Sequence, residues 1–354
     1  MATIRDVAGL AGVAISTVSL ALNAPDRVSP ETRARIEEAA RQVGFAANPI
    51  AQSLKRGRSR LIAMVVSDIT NPFFGRLLRE IERCAMEADY LVVVCDTHGS
   101  VENERAILQH LAGQRVAGVI LSPVGQAGVS VDGLRGLTMP LVLFDHRLAG
   151  LAVDYVGTDN ELASAMLTEH LVRQGHTKIA YIGGTAGLYT AEKRREGFGA
   201  TLRANGIDVD PELVVDGRYD AQGGYDAAMR LLTRAQNRPT AVIAASNVMA
   251  IGALQACNEL SVHCPGDVSL AGIDDVPWGS VIRPRITAAV QPVGEMARAA
   301  CEMLMERIAA RSGPILPPRD AVFQPRFVPG ESTSPPRDMH ASGKRLRAQM
   351  QTSL

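Results

Sequence analysis

The chain has 354 residues, its 37 Lys and Arg balance 37 Asp and Glu, and 46% of it is apolar. That length holds two or three domains. Global disorder is excluded, because low hydrophobicity and high net charge are both missing. No apolar run approaches the ~18 residues of a membrane span, and Thr3-Ile4-Arg5-Asp6 puts an acid where a signal peptide would turn apolar. The five cysteines show no C-x-x-C spacing, and their odd number opposes a closed disulfide framework. The expectation is a soluble, reduced, cytoplasmic protein without membrane contact.

The neutral total conceals an asymmetry. Residues 1–60 carry nine basic side chains against five acids, leaving the other 294 residues at −4. A basic head on an acidic body suits a polyanion held by the head alone.

Three short helices are predicted in that head. Thr3 and Asp6 have capping-box spacing, Val7, Ala8, Leu10 and Ala11 follow, and Gly12 ends the first helix. The second runs from Ile15 to Asn23 and places Val18 and Leu22 on one face. The third starts with Ser29 as N-cap, Pro30 at the first helical position and Glu31 in the first turn, and stops at Gly44. Two short helices joined by a glycine turn and braced by a third make a helix-turn-helix unit. The second helix of such a unit enters the DNA major groove, its first residues facing base edges and its Ser and Thr hydroxyls reaching phosphates.

The residues Thr3-Ile4-Arg5-Asp6-Val7-Ala8, Ala11-Gly12-Val13, Ser16-Thr17-Val18-Ser19, Leu22-Asn23, Val28-Ser29-Pro30-Glu31-Thr32-Arg33 and Gly44-Phe45 together resemble the head of the lactose/galactose repressor family. Asn48-Pro49-Ile50-Ala51-Gln52-Ser53-Leu54 resembles that family's hinge helix, and the likeness continues to about residue 330. The resemblance implies DNA contacts from Thr3, Ile15, Ser16, Thr17, Ser19, Leu20, Asn23 and Arg27, and from Asn48, Ala51, Leu54 and Lys55 in the hinge. A segment of ~8 residues is too short for a stable helix alone in water. It is expected to order when paired with its twin on DNA, where the resemblance implies that Leu54 wedges into the minor groove. Two departures bear on the operator. Ala14 replaces the family's frequent Ser cap, and Ile15, Ser16 and Leu20 stand where relatives read bases. Ile15 and Leu20 can meet thymine methyls but cannot hydrogen-bond guanine as Arg does.

Beyond Arg60, strands and helices alternate. Strands are predicted at Leu61–Ser67, Leu91–Cys95, Val116–Leu121, Leu141–Phe144, Ile179–Ile182, Leu213–Val215, Ala241–Ala245, Val268–Ala271 and Ala321–Phe327. Helices are predicted at 73–88, 102–113, 160–174, 190–204, 223–235, 248–260 and 294–308. This alternation gives an α/β body of two doubly wound parallel-sheet lobes, periplasmic-binding-protein-like by the resemblance, behind a small all-α head. The expected division is a helix-turn-helix domain over 1–47, a hinge over 48–59, a body over 60–330 and a disordered tail over 331–354. Within the body, lobe 1 takes about 60–158 and 289–318, and lobe 2 about 159–288 and 319–330.

Ligands of such sheets sit beyond the carboxyl ends of the strands. There stand Asp68, Asn71, Phe73, Ser122, Asp145-His146-Arg147, Thr190, Arg194, Asn247 and Asp274-Asp275. Carboxylates, an amide and a guanidinium bind hydroxyls, and an aromatic ring packs a sugar's apolar face. The resemblance assigns effector binding to Phe73, Ser122, His146, Thr190, Arg194, Tyr219, Asn247 and Asp274. Val248 follows Asn247 where relatives carry a second carboxylate, and Leu188 stands where the purine-responsive relative has Arg, which disfavours a purine.

Catalytic signatures are missing. Gly183-Gly184-Thr185 makes neither G-x-G-x-x-G nor a Walker loop, and the seven histidines form no H-E-x-x-H. A sugar-kinase-type body would need a phosphate loop with a catalytic acid, and a transport-type binding protein would lack the helix-turn-helix. The expected protein is a homodimeric, sugar-controlled repressor on a pseudo-palindromic duplex operator, with no cofactor and no metal.

Overall fold

The computed structural model describes residues 2–23, 27–45, 59–125, 134, 136–276, 278–310 and 317–337. In α1 (Ile4–Ala11) the Asp6 carboxylate accepts hydrogen bonds from the Thr3 N–H (2.8 Å) and hydroxyl (2.9 Å), and Gly12 closes the helix with a left-handed φ of +63°. The chain then bends by 107° into α2 (Ile15–Asn23). The third helix, α3 (Pro30–Gln42), is capped by Ser29 Oγ, which accepts the Thr32 N–H at 3.3 Å. Val7, Ala8, Ala11, Val18, Ala21, Ile36 and Ala39 make its small core. The expected hinge, with Asn48, Ala51, Leu54 and Lys55, lies outside the described residues, apart from Ser59.

The body continues with β1 (Leu61–Val66), α4 (Pro72–Glu87), β2 (Leu91–Asp96), α5 (Val101–Gly113), β3 (Gly118–Leu121), β4 (Leu141–Phe144) and β5 (Asp154–Thr158). Next come α6 (Asn160–Arg173), β6 (Ile179–Gly183), α7 (Tyr189–Ala204), β7 (Val214–Asp216), α8 (Ala221–Leu232), β8 (Ala241–Ala244), α9 (Asn247–Glu259), β9 (Ser269–Ile273) and β10 (Thr287–Val290). The chain closes with α10 (Val293–Ala310), β11 (Asp320–Phe323) and β12 (Arg326–Val328). Two six-stranded sheets result, ordered β11-β5-β4-β3-β1-β2 and β12-β10-β9-β8-β6-β7. Every pairing is parallel except β10 with β12. Buried strands such as Ile62–Val66 and Ala241–Ala244 are apolar on both faces, as helix-covered parallel sheets require. Among the described residues, no single helix is long and apolar enough to cross a membrane.

Sheet membership corrects one of the expected lobe boundaries. The predicted strand Ala321–Phe327 is two strands in two sheets, parted at Gln324-Pro325, because proline has no N–H for a ladder bond. The third crossing therefore follows Phe323 rather than residue 318, so 319–323 belong to lobe 1. The second crossing follows Val290, the end of β10 and close to the expected residue 288. Both β5 and β10 were unread: Asp154-Tyr155-Val156-Gly157-Thr158 and Thr287-Ala288-Ala289-Val290 mix polar and small residues and show no strong apolar run.

The tail is corrected as well. Residues 331–337 dock on lobe 2, and 338–354 lie outside the described residues. Ser332 is fully buried. Its Oγ accepts the Thr287 N–H (2.9 Å) and donates to the Leu270 carbonyl, while the Leu270 N–H donates to the Ser332 carbonyl (2.8 Å). His176 Nε2 donates to the Ser334 carbonyl at 2.8 Å. Hydroxyls that read as solvated in sequence are here spent on strand-edge backbone groups. Ser332→Ala strips the Thr287 N–H and Leu270 carbonyl of a buried partner, and its expected cost is about 1–3 kcal/mol. The check is a urea titration, whose midpoint should fall with unchanged slope; an unmoved midpoint contradicts the clasp.

Candidate functional site

The carboxyl ends of both sheets face a shared cleft of about 650 Å³. Lobe 1 lines it with Asp68, Asn71, Phe73 and Phe74 after β1, His98 after β2, Pro123 and Val124 after β3, and Asp145 and His146 after β4. Lobe 2 contributes Thr190 and Arg194 from α7, Arg218, Tyr219 and Asp220 after β7, Ser246 and Asn247 around the start of α9, Asp274 after β9 and Gln291 after β10.

Arg194 is the buried cation of this cleft, only 4% exposed. Its Nε donates to Asn160 Oδ1 and its Nη1 to the Ala245 carbonyl, each at 2.7 Å. Its guanidinium carbon stands 5.9 Å from the centre of the Tyr219 ring. The reach to Asn160 depends on a close approach of α7 to α6: a Cβ on Gly197 would fall 2.2 Å from the Glu161 carbonyl oxygen. Burial pulls the Arg194 pKa down, but the surrounding Tyr219, Asp145 and Asp274 more than offset it and hold the pKa above its ordinary value.

Asp274 faces the same space, with a left-handed φ of +68° that turns its carboxylate back onto the chain. Its Oδ1 accepts the Gln291 backbone N–H (3.0 Å) and its Oδ2 the Gln291 side-chain amide (2.6 Å). Burial raises the Asp274 pKa against the pull of Arg194 and these bonds. Thr190 and Tyr219 share a hydroxyl–hydroxyl bond of 2.9 Å, and Thr190 Oγ1 lies 3.5 Å from His146 Nδ1. Burial lowers the His146 pKa despite Asp145 at 3.5 Å, which leaves the imidazole neutral at pH 7. Buried donors, acceptors and the rings of Phe73, Phe74 and Tyr219 can fix a small hydroxyl-bearing ligand. No group of three or more His, Cys, Asp or Glu side chains placed to hold a metal occurs among the described residues.

Residues 3–48 match the bacterial regulatory proteins of the lacI family, and residues 168–333 match a periplasmic binding protein-like domain. The chain is 33% identical over 309 residues to the ribose operon repressor of Escherichia coli (strain K12), across 87% of this chain and 93% of that protein. The chain belongs to the lacI family. Two solved structures are similar along most of its length. A transcriptional regulator CelR–cellobiose complex has a TM-score of 0.71 at 29% identity, covering 94% of this chain and 100% of that one. The lac repressor dimer bound to operator and the anti-inducer ONPF has a TM-score of 0.81 at 25% identity, covering 94% and 99%. As a lacI-family member the chain is a DNA-binding transcriptional regulator and not an enzyme.

Seven of the eight expected effector residues of this lacI-family regulator meet in the cleft: Phe73, His146, Thr190, Arg194, Tyr219, Asn247 and Asp274. Ser122 does not. It is 1% exposed, its N–H is bonded to the Val65 carbonyl, and Pro123 and Val124 form the wall in front of it. Sequence reasoning missed Gln291 and Asn160. Gln291 follows the unread strand β10, and Asn160 begins α6, where an amide resembles an ordinary cap. In the head, α2 buries Val18 and Ala21 and leaves Ile15, Ser16 and Leu20 exposed, with Thr17 and Ser19 half-buried beside them. Thr3 and Arg27 are exposed as well. Asn23 ends α2, and its side chain is outside the described residues.

Asn160→Ala should expose the weight of the Arg194 contact, because it leaves a buried guanidinium N–H without its acceptor. The expected loss is about 1–3 kcal/mol of stability, read by chemical denaturation. Stability equal to that of the parent contradicts the role given to Asn160.

Proposed function

We propose that this chain is a sugar-controlled repressor that works in the cytoplasm as a homodimer, each head reading half of a pseudo-palindromic operator. One observation carries the effector reading: buried Arg194 and Asp274 converge, at the carboxyl ends of two facing sheets, on a cleft large enough for a sugar. The cellobiose bound to CelR supports the chemical class. In this reading Arg194, Asn247 and Asp274 hydrogen-bond ligand hydroxyls, Phe73 and Tyr219 pack against the ring, and His146 and Thr190 complete the polar wall. Thr3, Ile15, Ser16, Thr17, Ser19, Leu20, Asn23 and Arg27 face DNA, and the hinge residues Asn48, Ala51, Leu54 and Lys55 join them at the operator centre. The lac repressor structure with dimer and operator supports this assembly.

A ligand shifts operator affinity only as far as it prefers one pose of the lobes over another. The head supplies the electrostatic part of binding, so log affinity should fall linearly with log salt. The test is Arg194→Ala, titrated on an operator duplex with and without a sugar that changes the affinity of the parent. Unliganded affinity should stay within a few fold, which also reports an intact fold. The response should need roughly ten- to 150-fold more sugar, as expected for losing a charged hydrogen bond. A variant that responds like the parent removes Arg194 from the effector site.

A further inference from the structure

Charge on the cleft wall selects among effectors. Four carboxylates (Asp68, Asp145, Asp220 and Asp274) face two guanidiniums, Arg194 and Arg218. Both cations are already engaged in part by acceptors of the protein. Arg194 spends Nε on Asn160 and Nη1 on the Ala245 carbonyl, and exposed Arg218 is paired with Asp226 at 3.1 Å and Asp220 at 3.6 Å. The remaining lining histidines are His98, which is exposed, and His146, which burial holds neutral.

Of the helix N-termini at the cleft, the other usual anion donors, those of α4, α8 and α9 are taken by side-chain caps, whereas α7, entered at Leu188, has none. Phe73 N–H in α4 bonds to Asn71 Oδ1 (3.0 Å), Gly223 N–H in α8 to Asp220, and Met249 N–H in α9 to Ser246 Oγ (3.3 Å). Two buried acceptors of the wall lack a donor. Asp145 Oδ1 and Gln291 Oε1 are buried at 7% and 4% residue exposure and have no hydrogen-bond partner in the protein. Both are acceptors, and a buried acceptor without a donor is costly. A ligand hydroxyl supplies a donor, whereas a phosphate or carboxylate at neutral pH brings acceptors and a like charge.

We infer, on the reading that the cleft holds the effector, that it takes an uncharged polyhydroxylated ligand and rejects the phosphorylated or carboxylated form of the same ligand. Asp145 and Gln291 accept its hydroxyls, and the surplus of carboxylates repels an anionic substituent.

Matched sets test this on the full chain by calorimetric titration at pH 7.5: ribose with ribose 5-phosphate and ribonate, glucose and galactose with their 6-phosphates and uronates, and cellobiose with cellobionate. The neutral member of at least one set should bind, with its anionic partners at least about tenfold weaker. In Asp145→Asn, with one carboxylate neutralised, that gap should narrow. An anionic member that binds as tightly as its neutral partner, and is lost in Arg194→Ala, overturns the charge selection while leaving the cleft as the effector site. Binding by no member, or binding indifferent to Arg194→Ala, overturns the effector reading and this inference with it.

Discussion

A guanidinium cannot be buried without partners, and meeting that demand for Arg194 organises the middle of this molecule. Its Nε takes Asn160 Oδ1, Asn160 Nδ2 donates to the Thr158 carbonyl (3.1 Å), and Thr158 Oγ1 donates to the Phe323 carbonyl (2.9 Å). Thr158 and Phe323 end the strands from which the first and third crossings leave lobe 1. The side chain that faces the cleft is therefore bonded, through two intermediates, to two of the three connections between lobes.

Asp274 repeats the arrangement at the remaining connection. Both its oxygens are held by Gln291, the first residue beyond β10 and the start of the second crossing. Further contacts bridge the lobes: Arg76 donates to the Asp275 carbonyl at 3.3 Å, and Arg326 pairs with Glu295 at 2.6 Å. In the proposed mechanism a ligand that competes for Arg194 and Asp274 alters the groups that hold the crossings, and so biases the lobe pose. Coupling then needs no long relay inside either lobe, because the cleft and the crossings share side chains.

Much of this was legible in sequence. The three-helix head announced itself through Gly12, Ser29-Pro30 and Gly44, residues whose backbone roles are narrow. Helix-covered strands such as Leu61–Val66 showed as unbroken apolar runs, and strand-end polar residues such as Arg194 and Asp274 pointed to the cleft. What escaped was carried by weaker signals. Thr287–Val290 has too little apolar bulk to read as a strand, so Gln291 had no visible reason to face a ligand. Asn160 looks like any helix-starting amide until α6 and α7 are brought together at Gly197. Ser332 looks solvated until its hydroxyl is seen spanning Thr287 and Leu270. Ser122 erred the other way, since the wall depends on which of two successive residues turns outward after β3.

Hydrogen–deuterium exchange of the full chain, alone and saturated with a neutral sugar shown to bind in the titrations, addresses the coupling most directly. The Asp159 N–H is bonded to the Phe323 carbonyl and the Gln291 N–H to Asp274, so both report on the crossings. Ligand should change exchange at both amides, and Arg194→Ala at the same sugar concentration should abolish the change. A sugar that alters operator affinity while exchange at Asp159 and Gln291 stays constant would contradict transmission through the crossings.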